Sequence, residues 1–521
     1  MGFEPGQLNA LERTLARLPL DYAGPGGAVA VLKDGEVLVR HAWGFADLER
    51  RIQFTPQTLF RICSISKQFT CGLMLDQFPD PSVLNGDVQA RMPLLDGAPS
   101  ALQLAHNQSG LRDYWATAML CGSPIEAPFG EADARTLIGK TASLHFTPGT
   151  RYSYCNQNFR MLGDIVAERA GRPFGELVRT QVFDVAGMPT AQLCADTQAM
   201  PDGTTGYEGT LESGFRPAVN RIIWTGDAGL GASLDDMIAW ERFIDSTRDD
   251  ATGLYRRLSA PQSFAGGAFA KYGFGLSQVT LLGRRGTGHG GGLRGWRSFR
   301  FNLPSERISM VVLFNHMADP MAAALDLLGH LIEGPSKAGA GGSASPWDGD
   351  YLDPDYGIVV RLASTGDHRV RMHYGPNPEL LDLGRDDEAR GNGTVLRRGT
   401  DGIRMERDGD QHAVLLQKLA EPGETQPDIE GRFVCAELGA TFACTLSGGA
   451  AYGGLSGFLG EGPMQSLIAV GPDIWRLPMP RALDHSPPGE WTIRFKRDDA
   501  RRVTRAMIGC WLARNLVFER A

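Results

Sequence analysis

Over residues 1–333 the chain switches between two hydrophobic periods. Ala28 to Leu32 and Glu36 to His41 are apolar-rich runs on either side of Lys33-Asp34-Gly35. An Asp-Gly step between two such runs predicts a β-hairpin. From Ser64 the period lengthens. Ile65, Phe69 and Leu73 recur at four-residue steps, which predicts a helix with one face turned to a core. Asn85 to Gly149 is loop-rich and admits only short helical pieces. Helical spacing returns at Asn158 to Ala170, with Phe159, Leu162, Ile165 and Val166, and stops at Gly171-Arg172-Pro173. Ser233 caps another helix, whose apolar face is Met237, Ile238, Trp240 and Phe243. Residues 272 to 315 read as antiparallel strands, with Trp296 to Leu303 and Ile308 to Phe314 around Pro304-Ser305-Glu306. A helix from about Pro320 to Ile332 closes the unit. Strands at both ends with helices between them predict one sheet assembled from the two ends, with an all-helical insert.

The pattern then changes. Residues 334–346 are Gly, Ala and Ser with two Pro and a Lys, the composition of a flexible linker. Beyond it come short strands and turns. Gly349-Asp350-Tyr351 with Gly357 recurs as Gly431-Arg432-Phe433 with Gly439. The repeat predicts two related antiparallel β-barrels. The expected organisation is a multidomain α+β chain: a catalytic unit over 1–333, a linker over 334–346, a barrel over 347–424 and a second barrel over 425–521.

The chain's 521 residues are too many for one core, in keeping with this division. A net charge of −8 without a basic block argues against nucleic acid and anionic membranes as partners. The start, Met1-Gly2-Phe3-Glu4-Pro5-Gly6, lacks the features of a secretory signal, and no run of apolar residues is long enough to cross a membrane. The eight cysteines are scattered without Cys-x-x-Cys, which fits reduced thiols. A cytoplasmic location is expected.

Four stretches carry candidate chemistry. Ser64 and Lys67 stand three apart and share a helix face, so an amine lies beside a hydroxyl. A serine needs such a base to become a nucleophile. Tyr154 and Asn156, two apart after Pro148-Gly149, point the same way if extended. His289-Gly290-Gly291-Gly292 leads into a strand. The dinucleotide pattern at Gly286, Gly288 and Gly291 is rejected, because no helix follows it. Glycines in a strand instead mark the close approach of a ligand or another backbone. The N–H groups of Gly292 and Ser64 then form an oxyanion hole, and His289 adds a proton-binding group. His106-Asn107-Gln108-Ser109-Gly110-Leu111 makes a polar turn. His-Glu-x-x-His and Cys-x-x-Cys are absent, so neither metal nor cofactor is expected.

Ser64-Ile65-Ser66-Lys67, Tyr154-Cys155-Asn156 and His289-Gly290-Gly291 resemble, in order, the three motifs of serine penicillin-recognising enzymes. Asn107 to Leu111 and Pro148-Gly149 with Tyr152 are similar to flanking signatures of the class C β-lactamase branch. The resemblance implies a β-lactamase-like catalytic domain. With the two barrels it implies a serine aminopeptidase that hydrolyses N-terminal D-residues from peptides, amides and esters through an acyl-enzyme. An esterase or β-lactamase of the same fold, or a non-hydrolysing β-lactam or peptide sensor, remains open. In such aminopeptidases a loop of the last barrel reaches the active site. The matching segment is 477–488, whose Asp484 would bind the substrate ammonium. Gly290, in place of a hydroxyl residue, fits a site that does not read a carboxylate there. The resemblance further implies small D-peptide or D-amino-acid amide substrates, β-lactams as inhibitors and a homodimer.

Overall fold

The computed structural model describes residues 3–334, 347–366, 368–384, 387–479, 481–483 and 488–521. Most of the expected linker lies outside these residues, and so does Asp484. The predicted hairpin is present: strands Gly26–Lys33 and Glu36–Asp47 pair through Lys33 and Glu36. Asp34 and Gly35 both take positive φ, 56° and 80°, as a tight hairpin turn of this hand requires. The hairpin pairs with Ile308–Phe314, and the full sheet has eight strands. Its order runs Tyr272–Gly273, Leu276–Leu281, Arg284–Leu293, Trp296–Leu303, Ile308–Phe314, Gly26–Lys33, Glu36–Asp47, Ile52–Gln53. One sheet is thus built from both ends of the unit.

Both faces of this sheet are covered. Val29, Val31 and Val312 pack with Leu11 and Leu18 of the helix Pro5–Asp21 and with Leu327 and Leu328 of the helix Pro320–Leu331. Ala28, Ala30 and Leu313 point the other way, into the helical insert. The period-two alternation of a strand explains why neighbours serve two cores. The insert includes the helices Asn156–Ala170 and Leu234–Ser246. The first ends on Gly171 at φ 64°, and Ser233 caps the second through the backbone N–H of Asp236.

At Ser64 the structure refines the expectation. Cys63–Ile65 is a single 3₁₀ turn, and the α-helix proper is Ser66–Gln77. That helix shows no polar face, because every residue from Ser66 to Leu75 is buried. The sheet lies on one side of it and the insert on the other. Its polar side chains find internal partners instead: Thr70 donates to the Gly226 carbonyl at 2.7 Å, and Gln68 accepts from the Trp240 indole at 3.3 Å.

After residue 347 eight antiparallel strands, from Gly349–Asp353 to His412–Lys418, close into a barrel. The last unit is a ten-stranded antiparallel sheet from Gly431–Cys435 to Ala513–Arg520. It curls because Gln465–Ser466 pairs with Ala450–Gly457, while the adjoining Ile468–Gly471 pairs with Ile474–Leu477. The sequence repeat marks equivalent places in the two units. Gly349 and Gly431 open a strand at φ 147° and 153°, Tyr351 and Phe433 are buried, and Gly357 and Gly439 close the following turn at φ 66° and 62°.

Candidate active site

Between Thr58 and Leu75 every residue is buried except Ser64. The chain turns sharply just before it: Cys63 is held at φ 51°, a conformation that costs a non-glycine residue energy and recurs at functional sites. The turn lifts the Ser64 hydroxyl into a cavity of about 670 Å³. Tyr154, Asn156, His289 and Gly292 line the same cavity. Residues spread over more than 220 positions thus converge on one space.

Lys67 organises the floor. Its Nζ lies 3.0 Å from Ser64 Oγ, 2.9 Å from Asn156 Oδ1 and 2.7 Å from the Asp227 carbonyl. The Tyr154 ring stands over it, with Nζ 5.0 Å from the ring centre. Asn156 is aimed by a residue that the motifs do not include. Asp113 Oδ2 accepts from the Asn156 side-chain amide at 2.9 Å and from its backbone N–H at 2.6 Å. That leaves the Asn156 oxygen facing Lys67. Asp113 also caps the helix Tyr114–Leu120 through the Trp115 N–H. Asp227 is fixed in turn by the Tyr114 hydroxyl and by the Thr225 N–H. Neither aspartate stands in a pattern that the sequence alone could flag.

The polar turn at His106–Leu111 shapes the second motif. Asn107 Oδ1 accepts from the Cys155 N–H at 3.2 Å, and the Asn107 carbonyl accepts from Ser153 N–H at 3.0 Å. Cys155 is extended, at φ −148° and ψ 108°, so Tyr154 and Asn156 both reach the Lys67 side.

The glycine tract is a strand, as expected, and it lies against the nucleophile turn. A Cβ on Gly291 would stand 2.4 Å from the Ile62 carbonyl and 2.2 Å from Ser298 Oγ. The opposite edge of this strand pairs with Leu276–Leu281 only as far as Gly288. Residues 289–293 therefore present an edge that an extended substrate can join.

His289 is a neutral group here. Its Nδ1 contacts the Gly290 carbonyl, which can only accept, so the ring proton sits on Nδ1. Nε2 then accepts from the Tyr272 hydroxyl at 3.0 Å. Burial holds the imidazole pKa at about 3.

The last sheet completes the wall. Trp511 and Leu512 line the cavity, Leu512 O accepts from Asp113 N–H at 2.9 Å, and the Trp511 indole donates to Asp410 at 3.2 Å. Two residues after Gly292, the buried Arg294 donates to the Ala482 and Leu483 carbonyls at 2.9 and 2.7 Å. Pro488 lines the cavity as well. These residues flank Asp484 on both sides. Arg294 is a contact across 189 positions that no local spacing announces.

Comparisons with known proteins converge on one family. A family model described as Beta-lactamase matches residues 9–337, and one described as D-aminopeptidase, domain B, matches residues 341–519. The D-aminopeptidase of Gluconobacter oxydans is 51% identical over 519 residues, covering 98% of each chain. That of Brucella ovis is 46% identical over 515 residues, covering 98% of this chain and 99% of its own. Among solved structures, the octameric penicillin-binding protein homologue from Pyrococcus abyssi shares the fold, with a TM-score of 0.54 at 18% identity over 86% of this chain and 98% of that one. By its catalytic unit, by its C-terminal half and by near full-length identity, the chain belongs to the D-aminopeptidase family of penicillin-recognising serine enzymes.

Proposed function

We propose that this chain releases N-terminal D-residues from peptides, amides and esters through an acyl-enzyme on Ser64. The observation that carries the reading is the contact set of Lys67. A neutral Lys67 amine accepts the Ser64 proton along the 3.0 Å contact, while Asn156 and Asp227 hold the amine in place. Ser64 Oγ bonds to the substrate carbonyl carbon, and the oxygen of the tetrahedral intermediate is held by the N–H groups of Ser64 and Gly292. The scissile C–N bond then breaks, and the proton passes through Tyr154 to the leaving nitrogen. Water attacks the ester carbonyl, its proton is relayed through Tyr154 and Lys67 to Ser64 Oγ as the bond from that oxygen to the acyl carbon breaks, and the D-residue leaves with Ser64 regenerated. Tyr154 serves this second step better than His289, whose one lone pair is engaged by Tyr272 and whose pKa is about 3.

The exopeptidase character rests on the enclosure of the cavity by the C-terminal units. Pro376, Pro488, Trp511 and Leu512 close it on the side away from the catalytic sheet. Asp484 supplies the carboxylate for the substrate ammonium in this reading. The positions of Leu483 and Pro488 support it. β-Lactams, which present a similar acyl group, are expected to acylate Ser64. A homodimer is part of the same reading, and sedimentation velocity tests it.

Hydrolysis of D-alanine anilide, its L-form and a chromogenic ester tests the function. The D-anilide is turned over and the L-anilide is not, and Ser64→Ala abolishes turnover. Residual activity above about a thousandth of the wild-type rate overturns the nucleophile assignment. Asp484→Ala raises KM for the D-anilide. An unchanged KM rejects the amine anchor, and a protein that cleaves only the ester is an esterase of this fold.

A further inference from the structure

The substrate cavity continues past His289. A second chamber of about 350 Å³ shares Tyr152, His289, Gly290, Phe299 and Met321 with it. One wall is the strand Leu276–Leu281 with Lys271 and Tyr272. The other is the first barrel at Gly393, Arg407, Gly409 and Asp410. Pro488 and Gly292 line the main cavity and not this chamber. The chamber therefore opens from the Gly290 end of the strand edge, opposite the end where the Asp484 segment is anchored.

The charges in the chamber are unequal. Arg407 is matched by Glu379 at 2.5 Å and by Asp410 at 2.6 Å. Lys271 is the second cation. Its side chain lies across Gly393 and Gly409: a Cβ on Gly393 would stand 2.9 Å from Nζ, and one on Gly409 3.8 Å from Cδ. Among the described residues its ammonium has no carboxylate or hydrogen-bond partner. Lys271 immediately precedes Tyr272, whose hydroxyl binds His289, so it is placed relative to the reacting strand by one short segment. Gln278, Thr280 and Asn392 add uncharged polar groups between the strand edge and the ammonium.

We propose that this chamber binds the leaving group, as a short peptide whose terminal carboxylate is held by Lys271. The proposal rests on the aminopeptidase reading and names the preferred members of its substrate class: peptides with a free C-terminal carboxylate. Gly290 carries no hydroxyl for a carboxylate next to the scissile bond. The cation lies farther out, where the end of a longer leaving group arrives. The polar lining suits peptide N–H and C=O groups, which lose water on entering and need partners.

The test compares kcat/KM for D-alanyl-glycine and D-alanyl-glycyl-glycine, each as the free acid and as the C-terminal amide. In the wild type the acid of at least one length is favoured about tenfold, the scale of one partly exposed charge-assisted hydrogen bond. Lys271→Met removes that preference and Lys271→Arg retains most of it. Thermal midpoints of the variants show whether the fold persists. An acid-to-amide ratio near one in the wild type, or a ratio that survives Lys271→Met at both lengths, overturns the proposal. Failure of the wild type on D-alanine anilide overturns the parent reading instead, so the two failures are distinct.

Discussion

At the residue scale, Lys67 and Asp113 divide the work of the site. Lys67 touches the nucleophile, while Asp113 acts through Asn156. Asp113 Oδ1 accepts from Trp115 N–H, and Oδ2 accepts from two donors of Asn156. Both oxygens face N–H groups, so the position requires an acceptor on each side. Asp113→Asn keeps the shape but turns one oxygen into a donor. Whichever way the amide settles, a buried N–H meets another N–H. The expected result is a fall in kcat of about tenfold to a hundredfold with KM for D-alanine anilide little changed, since Asn156 loses its aim and the cavity keeps its walls. An unaltered kcat would remove Asp113 from the network. The motifs themselves were legible in sequence, because Ser64 with Lys67, Tyr154 with Asn156 and His289 with Gly290 each keep a fixed short spacing. Asp113, Asp227 and Arg294 were not, because each is a single polar residue whose partner lies dozens to hundreds of positions away.

At the element scale, the strand Arg284–Leu293 and the turn Cys63–Ile65 form one unit. Their backbones approach so closely that Gly291 admits no Cβ, whereas a Cβ on Gly290 would meet nothing closer than 3.7 Å. Gly275 does the same on the other side of the nucleophile helix, where a Cβ would stand 2.4 Å from the Lys67 backbone. Glycine in this strand therefore means backbone against backbone at one position and an open substrate edge at the next. Gly291→Ala must push the strand off the turn. A destabilisation of about 1–3 kcal/mol is expected in urea denaturation, together with reduced kcat. Gly290→Ala should keep the wild-type midpoint. Equal midpoints for the two variants would show that the strand yields freely. The elements were legible where periodicity was strong: the hairpin, the helix Asn156–Ala170 and the strands Trp296–Leu303 and Ile308–Phe314. The helix Pro5–Asp21 was not among the expected elements; its buried residues Leu11 and Leu18 stand two turns apart on one face. The burial of Ser66 to Leu75 was not legible, since Lys67, Gln68 and Thr70 read as a polar face until their partners are seen.

At the scale of the molecule, three units share one site, and the contacts between them are built from backbone as much as from side chains. Gly122 at φ 80° lies under the Gly460 carbonyl, Gly457 lies on the Cys121 backbone, and Glu437 bonds Ser143 and Arg112. Glycines that look like turns in the sequence are points of docking in the structure. The interior also holds imidazoles away from water, and this sets how the molecule responds to acid. Burial lowers His106 and His316 to about 4 and His289 to about 3. In the unfolded chain each titrates near 6.5. Above that pH the rings are neutral in both states and contribute no pH dependence. As pH falls below 6.5 the unfolded chain takes up protons that the folded one refuses, so stability drops until the folded pKa values are reached. Half-buried Asp164, raised to about 6 by burial, works in the opposite direction over part of this window. Buried His145 is held well below 6.5, and His41 and His373 are lowered too, so the imidazoles together outweigh Asp164. Urea midpoints measured from pH 7 to 4.5 should therefore fall steadily. His316 is stacked on Phe314 at 4.9 Å, and its Nε2 has no partner among the described residues. His316→Phe keeps the ring contact and removes the titration. It should flatten the pH slope by up to about 1.4 kcal/mol per unit, while the pH 7 midpoint falls only by the cost of the 3.4 Å contact from Ala318 N–H to Nδ1. A slope identical to the wild type would mean that this ring takes up its proton in the folded protein, with water reaching a site that the packing closes.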